Sequence, residues 1–191
     1  MITAAELRDE LPGAAAAWLA EARDEPLAGL FPAVARKVGR AALGNGWTVD
    51  EAVRALLLIG TDPAELTKLY RYGDAAEKRA ILRALGLHEV AGAVGSAALE
   101  IVADAIRTND QRLLAAALGP YTTEWLPQAA FRQAVLKCVF AGVPLATVDG
   151  LPGRADDELR RMMSDFAAER TAAGREIPAD LQPYLTALRG V

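Results

Sequence analysis

Hydrophobic positions recur along this chain at intervals of three and four residues, and nowhere do they alternate for more than four or five residues. That is the period of helices rather than strands. The pattern is densest from Ala129 to Leu145, AAFRQAVLKCVFAGVPL. Drawn as a helix from Leu126 or Pro127 to Ala141, this stretch places Phe131, Val135, Cys138 and Val139 on one stripe. Leu136 and Phe140 fall on the opposite side, which predicts a helix buried between neighbours. Yet Arg132, Gln133 and Lys137 share roughly 140° of its wheel at about 100° per residue. Polar groups on such a helix need a partner, either a protein carboxylate or a ligand.

The same period organises the rest. Thr3 with Glu6 reads as a capping box, and Pro12-Gly13 separates that first helix from a piece reaching about Asp24. A stripe of Leu27, Leu30, Phe31, Val34, Val38, Ala41 and Ala42 predicts a helix that starts near Leu30, which would make Pro32 tolerable. Its outer side carries Arg36, Lys37 and Arg40, a solvated face or an anion-facing patch. Thr48 caps a nearly all-apolar helix to Ile59, Asp62-Pro63 opens the next, and Asp74 opens another that stops at Gly86. One long helix is expected from Glu89 to Arg107, with Val90, Val94, Ala98, Ile101, Val102 and Ala105 inward and Glu100 and Asp104 outward. Thr108-Asn109-Asp110 caps Gln111 to Leu118. After the densest segment, Gly142 and Pro144 forbid continuation, and Val148 to Arg154 reads as a loop. An amphipathic helix follows from Ala155 to Gly174 with Leu159, Met162, Met163, Phe166 and Ala167 inward, and Pro178 begins a short last helix.

The expected fold is therefore all-α without a β-sheet, as one domain. Its core covers about residues 27–175, with N-terminal helices in 1–25 and a C-terminal helix in 176–191. Arg79–Gly86 echoes Arg112–Gly119 at an offset that suits helix-pair repeats, so a HEAT-like α-solenoid stands beside an irregular bundle.

Composition narrows the function. The net charge of −4 argues against nucleic acid as a partner, which needs a basic face. One cysteine and one histidine cannot build a metal cluster or an internal disulfide, and no cofactor is expected. No apolar run is long enough for a membrane span, and the N-terminus lacks the features of a secretion signal, so a cytoplasmic location is expected. There is no Gly-rich phosphate loop, HExxH or GxSxG motif. His88 lies between two helices with no nucleophile to serve, and Cys138 on its apolar stripe reads as an inert core thiol.

Arg132, Gln133 and Lys137 remain. One reading pairs them with acids such as Glu100, Asp104, Asp157 or Asp165. The other makes them an anion-reading cleft, with Tyr70, Arg71, Asn109 and Tyr121 as neighbours at helix ends.

Five segments carry a resemblance: Arg36–Arg40, Leu69–Asp74, Ala105–Asp110, Phe131–Lys137 with Gly142–Leu145, and Glu158–Met162 through Glu169–Gly174. They resemble EboA domain proteins over roughly Pro32 to Pro183. The Arg-Thr-Asn-Asp turn and the FRQxVLKxxFxGVPL block are the most specific. The resemblance implies membership of a cluster encoding a UbiA-type prenyltransferase, a TatD-like metal hydrolase, a cyclase resembling dehydroquinate synthase and a sugar-phosphate-isomerase-like barrel. Such clusters are linked to making or exporting specialised metabolites. It transfers no catalytic residue; a site built on its motifs would use Asn109, Tyr121, Arg132, Gln133 and Lys137.

The expected function is an accessory helical binding or scaffold protein. Its partner would be a pathway enzyme, or an anionic or prenylated intermediate held near the Ala129–Leu145 helix. The alternatives are an isomerase, lyase or transferase acting on a cyclitol or sugar phosphate, with Arg132 and Lys137 holding the anion and Glu100 or Asp104 moving the proton, and a structural homodimer through the Leu159–Phe166 helix.

Overall fold

The computed structural model describes residues 2–22 and 25–186. The expected helical reach to Asp24, and the end of the C-terminal helix beyond residue 186, lie outside them. The described residues form α-helices and short 3-10 stretches, with two isolated β-bridges and no sheet. The all-α expectation holds. Packing divides the chain into two compact units, Met1–Ala105 and Ile106–Val191.

The first unit contains α1 (Ala4–Asp9), α2 (Gly13–Glu21), α3 (Leu27–Val38), α4 (Val49–Leu57), α5 (Pro63–Tyr72), α6 (Ala75–Ala84), α7 (His88–Val94) and most of α8 (Leu99–Arg107). Capping is as the sequence dictates. The Thr3–Glu6, Thr48–Glu51 and Asp74–Glu77 pairs each close a capping box, and Asp62 accepts from the N–H groups of Ala64 and Glu65.

At the centre of this unit is α4, packed against α6 and α3. It is buried from Val49 through Leu56, including three charged residues: Asp50, Glu51 and Arg54. Asp50 and Glu51 occupy the first turn as the sequence predicts, and the body expected to be buried is buried from Ala52 to Leu56 with Arg54 enclosed in it. Its Nη1 donates to Asp50 Oδ2 at 2.7 Å and its Nε to the Phe31 carbonyl at 3.1 Å. The guanidinium also lies 5.5 Å from the Phe31 ring centroid. Arg40 approaches the same Asp50 oxygen at 3.8 Å, so one member of the expected anion-facing patch is turned toward a protein acid. Glu51 is met by Arg79 at 3.0 Å and Arg83 at 3.9 Å, and Arg83 stacks on Trp47 at 4.1 Å. Burying charge is tolerated where every charge finds an opposite one at hydrogen-bonding range.

Two expected boundaries move. α3 begins at Leu27, not near Leu30, so Pro32 lies inside it and denies the Ala28 carbonyl its i+4 donor. Pro32 and Ala28 both face outward, where water can replace that bond. Gly39 then ends the helix, leaving Ala41 and Ala42 beyond it. The single helix expected over Glu89–Arg107 is broken. Gly95 takes φ 50°, ψ −137°, a region only glycine enters cheaply, and a 3-10 turn over Gly95–Ala98 separates α7 from α8. The six inward positions nevertheless are all buried, because the break preserves their common side.

The second unit holds α9 (Gln111–Ala117), α10 (Pro120–Trp125), α11 (Gln128–Ala141), α12 (Leu151–Arg154), α13 (Asp157–Ala172) and α14 (Gln182–Thr186). α10 was not foreseen, although Pro120 sits at its start as proline should. The expected loop over Val148–Arg154 contains α12, also opened by a proline. α11 begins within two residues of expectation and ends at Gly142. Its stripe of Phe131, Val135, Cys138 and Val139 is buried, but the helix is not enclosed on all sides: Phe140 is 68% exposed. That ring lies edge-on to Phe166 of α13 at 4.7 Å.

Candidate functional site

Arg132 on α11 is engaged by protein. Arg132 Nε lies 3.0 and 3.1 Å from the two Asp156 oxygens, and its Nη2 reaches Oδ2 at 2.6 Å. This is the forked geometry that guanidinium and carboxylate favour. The acid is Asp156, not Glu100, Asp104, Asp157 or Asp165; Asp165 instead takes Arg161 at 2.6 Å. Asp156 also caps α13 by accepting from Leu159 N–H, and Gln128 Nε2 donates to it at 3.0 Å. The Arg132 hydrogen bond, reinforced by the Leu159 amide, holds the Asp156 carboxyl well below the usual carboxylate range.

Arg154 completes the cluster. Its guanidinium donates to the carbonyls of Thr122 and Leu126 at 2.7 Å each and to Gln128 Oε1 at 2.9 Å. It also stacks on the Phe131 ring at 4.1 Å. These bonds satisfy the carbonyl end of α10, which would otherwise be orphaned. Gln128, Arg132, Arg154 and Asp156 thus tie the end of α10, the first turns of α11 and the start of α13 into one knot. The sequence reading found one of the four. The signal for Asp156 was available: an aspartate immediately before an amphipathic helix, three residues ahead of Leu159.

The other expected site residues have different roles. Gln133 is exposed and Lys137 half-buried on α11, while Asn109 is exposed beside Asp110, the cap of α9. Tyr121 is buried and stacked on Trp125, with centroids 6.1 Å apart. Tyr70 and Arg71 belong to the first unit. The Tyr70 hydroxyl donates to Asp104 at 3.2 Å, and Arg71 is exposed in the last turn of α5. His88 is exposed at the first residue of α7. Cys138 is fully buried, and burial pushes its thiol up to about 12.

Open space is found elsewhere, in the first unit. A cavity of about 590 Å³ is floored by Leu19, Ala22, Leu30 and Leu56 and rimmed by Arg8, Glu25, Asp62 and Glu65. A smaller one of about 120 Å³ lies between Phe31 and Pro32 of α3 and Leu69 and Tyr72 of α5. Glu65 lines both, so the two cavities meet at that residue and are taken together as the groove of this unit. The seam between α3 and α5 follows from the packing order: α3 and α6 pack on α4, while α5 packs on α6. The larger cavity falls in the size range of small-molecule sites. It is assembled from five separate helices and their connections, which is why no short motif announced it.

Three features characterise the groove chemically. Its floor is aliphatic. Its rim carries more carboxylates than cations, and Asp62 spends only one oxygen on capping α5. Glu65 is approached by Lys68 at 3.8 Å, a loose contact that leaves its carboxylate accessible. Among the described residues no group of three or more metal-ligating side chains converges. No described helix is long and apolar enough to cross a membrane.

Comparison with curated proteins found no match, nor did comparison with solved structures. A family model described as metabolite traffic protein EboA matches residues 31–186, which takes in α4, α5 and the Arg132–Asp156 knot, while Arg8, Leu19, Ala22, Glu25, Leu27 and Leu30 of the larger cavity precede it. That span is most of the sequence, and it confirms the resemblance carried by the RTND turn and the FRQxVLK block: the chain belongs to the EboA family.

Proposed function

We propose that the protein is an accessory binding protein of metabolite traffic, which holds a small amphipathic intermediate in the groove of its first unit and passes it between pathway enzymes. The observation that carries this reading is the groove: an open, aliphatic-floored cavity of about 590 Å³ with a polar rim, built on the rigid frame of α3 and α4. The family's description as a metabolite traffic protein supports it.

The reading differs from the expectation of an anion held near α11. Arg132, which an anion would need, already has both carboxylate oxygens of Asp156 at hydrogen-bonding distance. An anion would have to displace an intramolecular fork. The enzyme alternative drew on the same guanidinium and meets the same obstacle.

Titration with Nile red, a neutral apolar dye, tests the reading. Saturable binding to the full chain is expected, and a Leu57→Trp variant that fills the cavity should weaken it at least tenfold, a loss of about 1.4 kcal/mol. Binding that is not saturable, or is unchanged by the block, would overturn the assignment.

A further inference from the structure

We infer that the groove selects a ligand with an aliphatic or prenyl-like body and a protonated amine head, and discriminates against phosphorylated heads. This rests on the groove being the binding site. The ionisable residues that line it among those described are Glu25, Asp62, Glu65 and Glu77 against Arg8 and Lys68, an excess of two negative charges. Helix ends of both signs border the larger cavity, so the side chains set its net sign. The C-terminal ends of α2 and α4, at Ala22 and at Leu56–Leu57, border the larger cavity, and helix C-termini carry partial negative charge. The opposing N-terminal ends are those of α3 at Leu27, which has no side-chain cap, and of α5, which is capped by Asp62. Ala28 and Pro32 line the smaller cavity, and Pro32 leaves the Ala28 carbonyl without its helical donor.

A head group placed near Glu65 therefore meets acceptors on several sides. An ammonium supplies three donors and the complementary charge. A phosphate supplies acceptors against acceptors, and like-charge juxtaposition is how binding sites reject wrong ligands. The aliphatic floor then contributes affinity in proportion to the apolar area it covers.

Isothermal titration of the full chain with three submicellar probes of equal tail length tests this: octylammonium, octyl glucoside and octyl phosphate, at neutral pH and low salt. Octylammonium should bind about tenfold more tightly than octyl phosphate, about 1.4 kcal/mol, with the glucoside between. Added salt should narrow the gap. Glu65→Gln should also narrow it, chiefly by weakening octylammonium, and an unchanged urea-unfolding midpoint for the variant separates lost charge from lost structure. Equal affinities, the reverse order, or a gap indifferent to Glu65→Gln would overturn the amine assignment and leave the groove standing. Failure of all three probes to bind would instead overturn the groove as a binding site.

Discussion

Arg132 and Arg54 show how differently two arginines on helices serve one fold. Arg54 is 1% exposed and its ion pair with Asp50 is closed at 2.7 Å within α4. Removing one partner from such a pair strands a buried charge. Asp50→Ala should therefore cost about 3–5 kcal/mol in urea unfolding, whereas Asp50→Asn combined with Arg54→Met should recover most of the loss. A cost near zero for Asp50→Ala would contradict the weight placed on this buried pair. Arg132 is more open, and its worth is best read through pH. Asp156 has a folded-state pKa depressed below its unfolded value of about 3.9, so its stabilisation is present above that pH and fades as pH falls toward the folded value. Asp156→Asn keeps a capping oxygen but loses the charge. Its melting temperature should fall below that of the parent at neutral pH, and the gap should begin to narrow below about pH 4 and close as pH falls through the depressed folded value. Cys138 gives a third check: with its thiol pushed up to about 12 and its sulfur buried, it should resist a thiol reagent at mildly alkaline pH until the chain unfolds.

At the scale of elements, legibility followed locality. Capping boxes, Asp62-Pro63 and the Phe131–Val139 stripe are local patterns, and the helices they predict are present with ends within a residue or two. Where tertiary packing chose among local options, the pattern misled. The Val90–Ala105 stripe suits a continuous helix, but Gly95 breaks it. The sign of one substitution separates the two descriptions. In a continuous exposed helix Gly95→Ala would stabilise by up to about 1 kcal/mol. In the observed conformation it should destabilise by about 1–3 kcal/mol, measured by chemical denaturation. The short α10 and α12 escaped notice because four to six residues carry too little periodicity to distinguish a helix from a loop.

Over the whole chain, the fold class was readable because every long stripe had one period, and the family because its motifs are contiguous in sequence. The sites were not. Periodicity marked Arg132 as awkward but could not show that Asp156, twenty-four residues away, answers it. The groove was less visible still. It depends on what α3 and α5 leave unfilled, and on Pro32 lying inside a helix. The proposed function moves binding from Arg132 of α11, whose guanidinium Asp156 holds, to the cavities bordered by α3 and α5. Amide chemical-shift mapping of the full chain titrated with octylammonium tests that move most directly, since a chain of 20.2 kDa suits the method. Saturable shifts centred on Leu27, Leu57, Ile59 and Glu65 are predicted, with Arg132 and Lys137 unmoved. Shifts centred on α11, or no saturable shifts along the groove, would contradict the account.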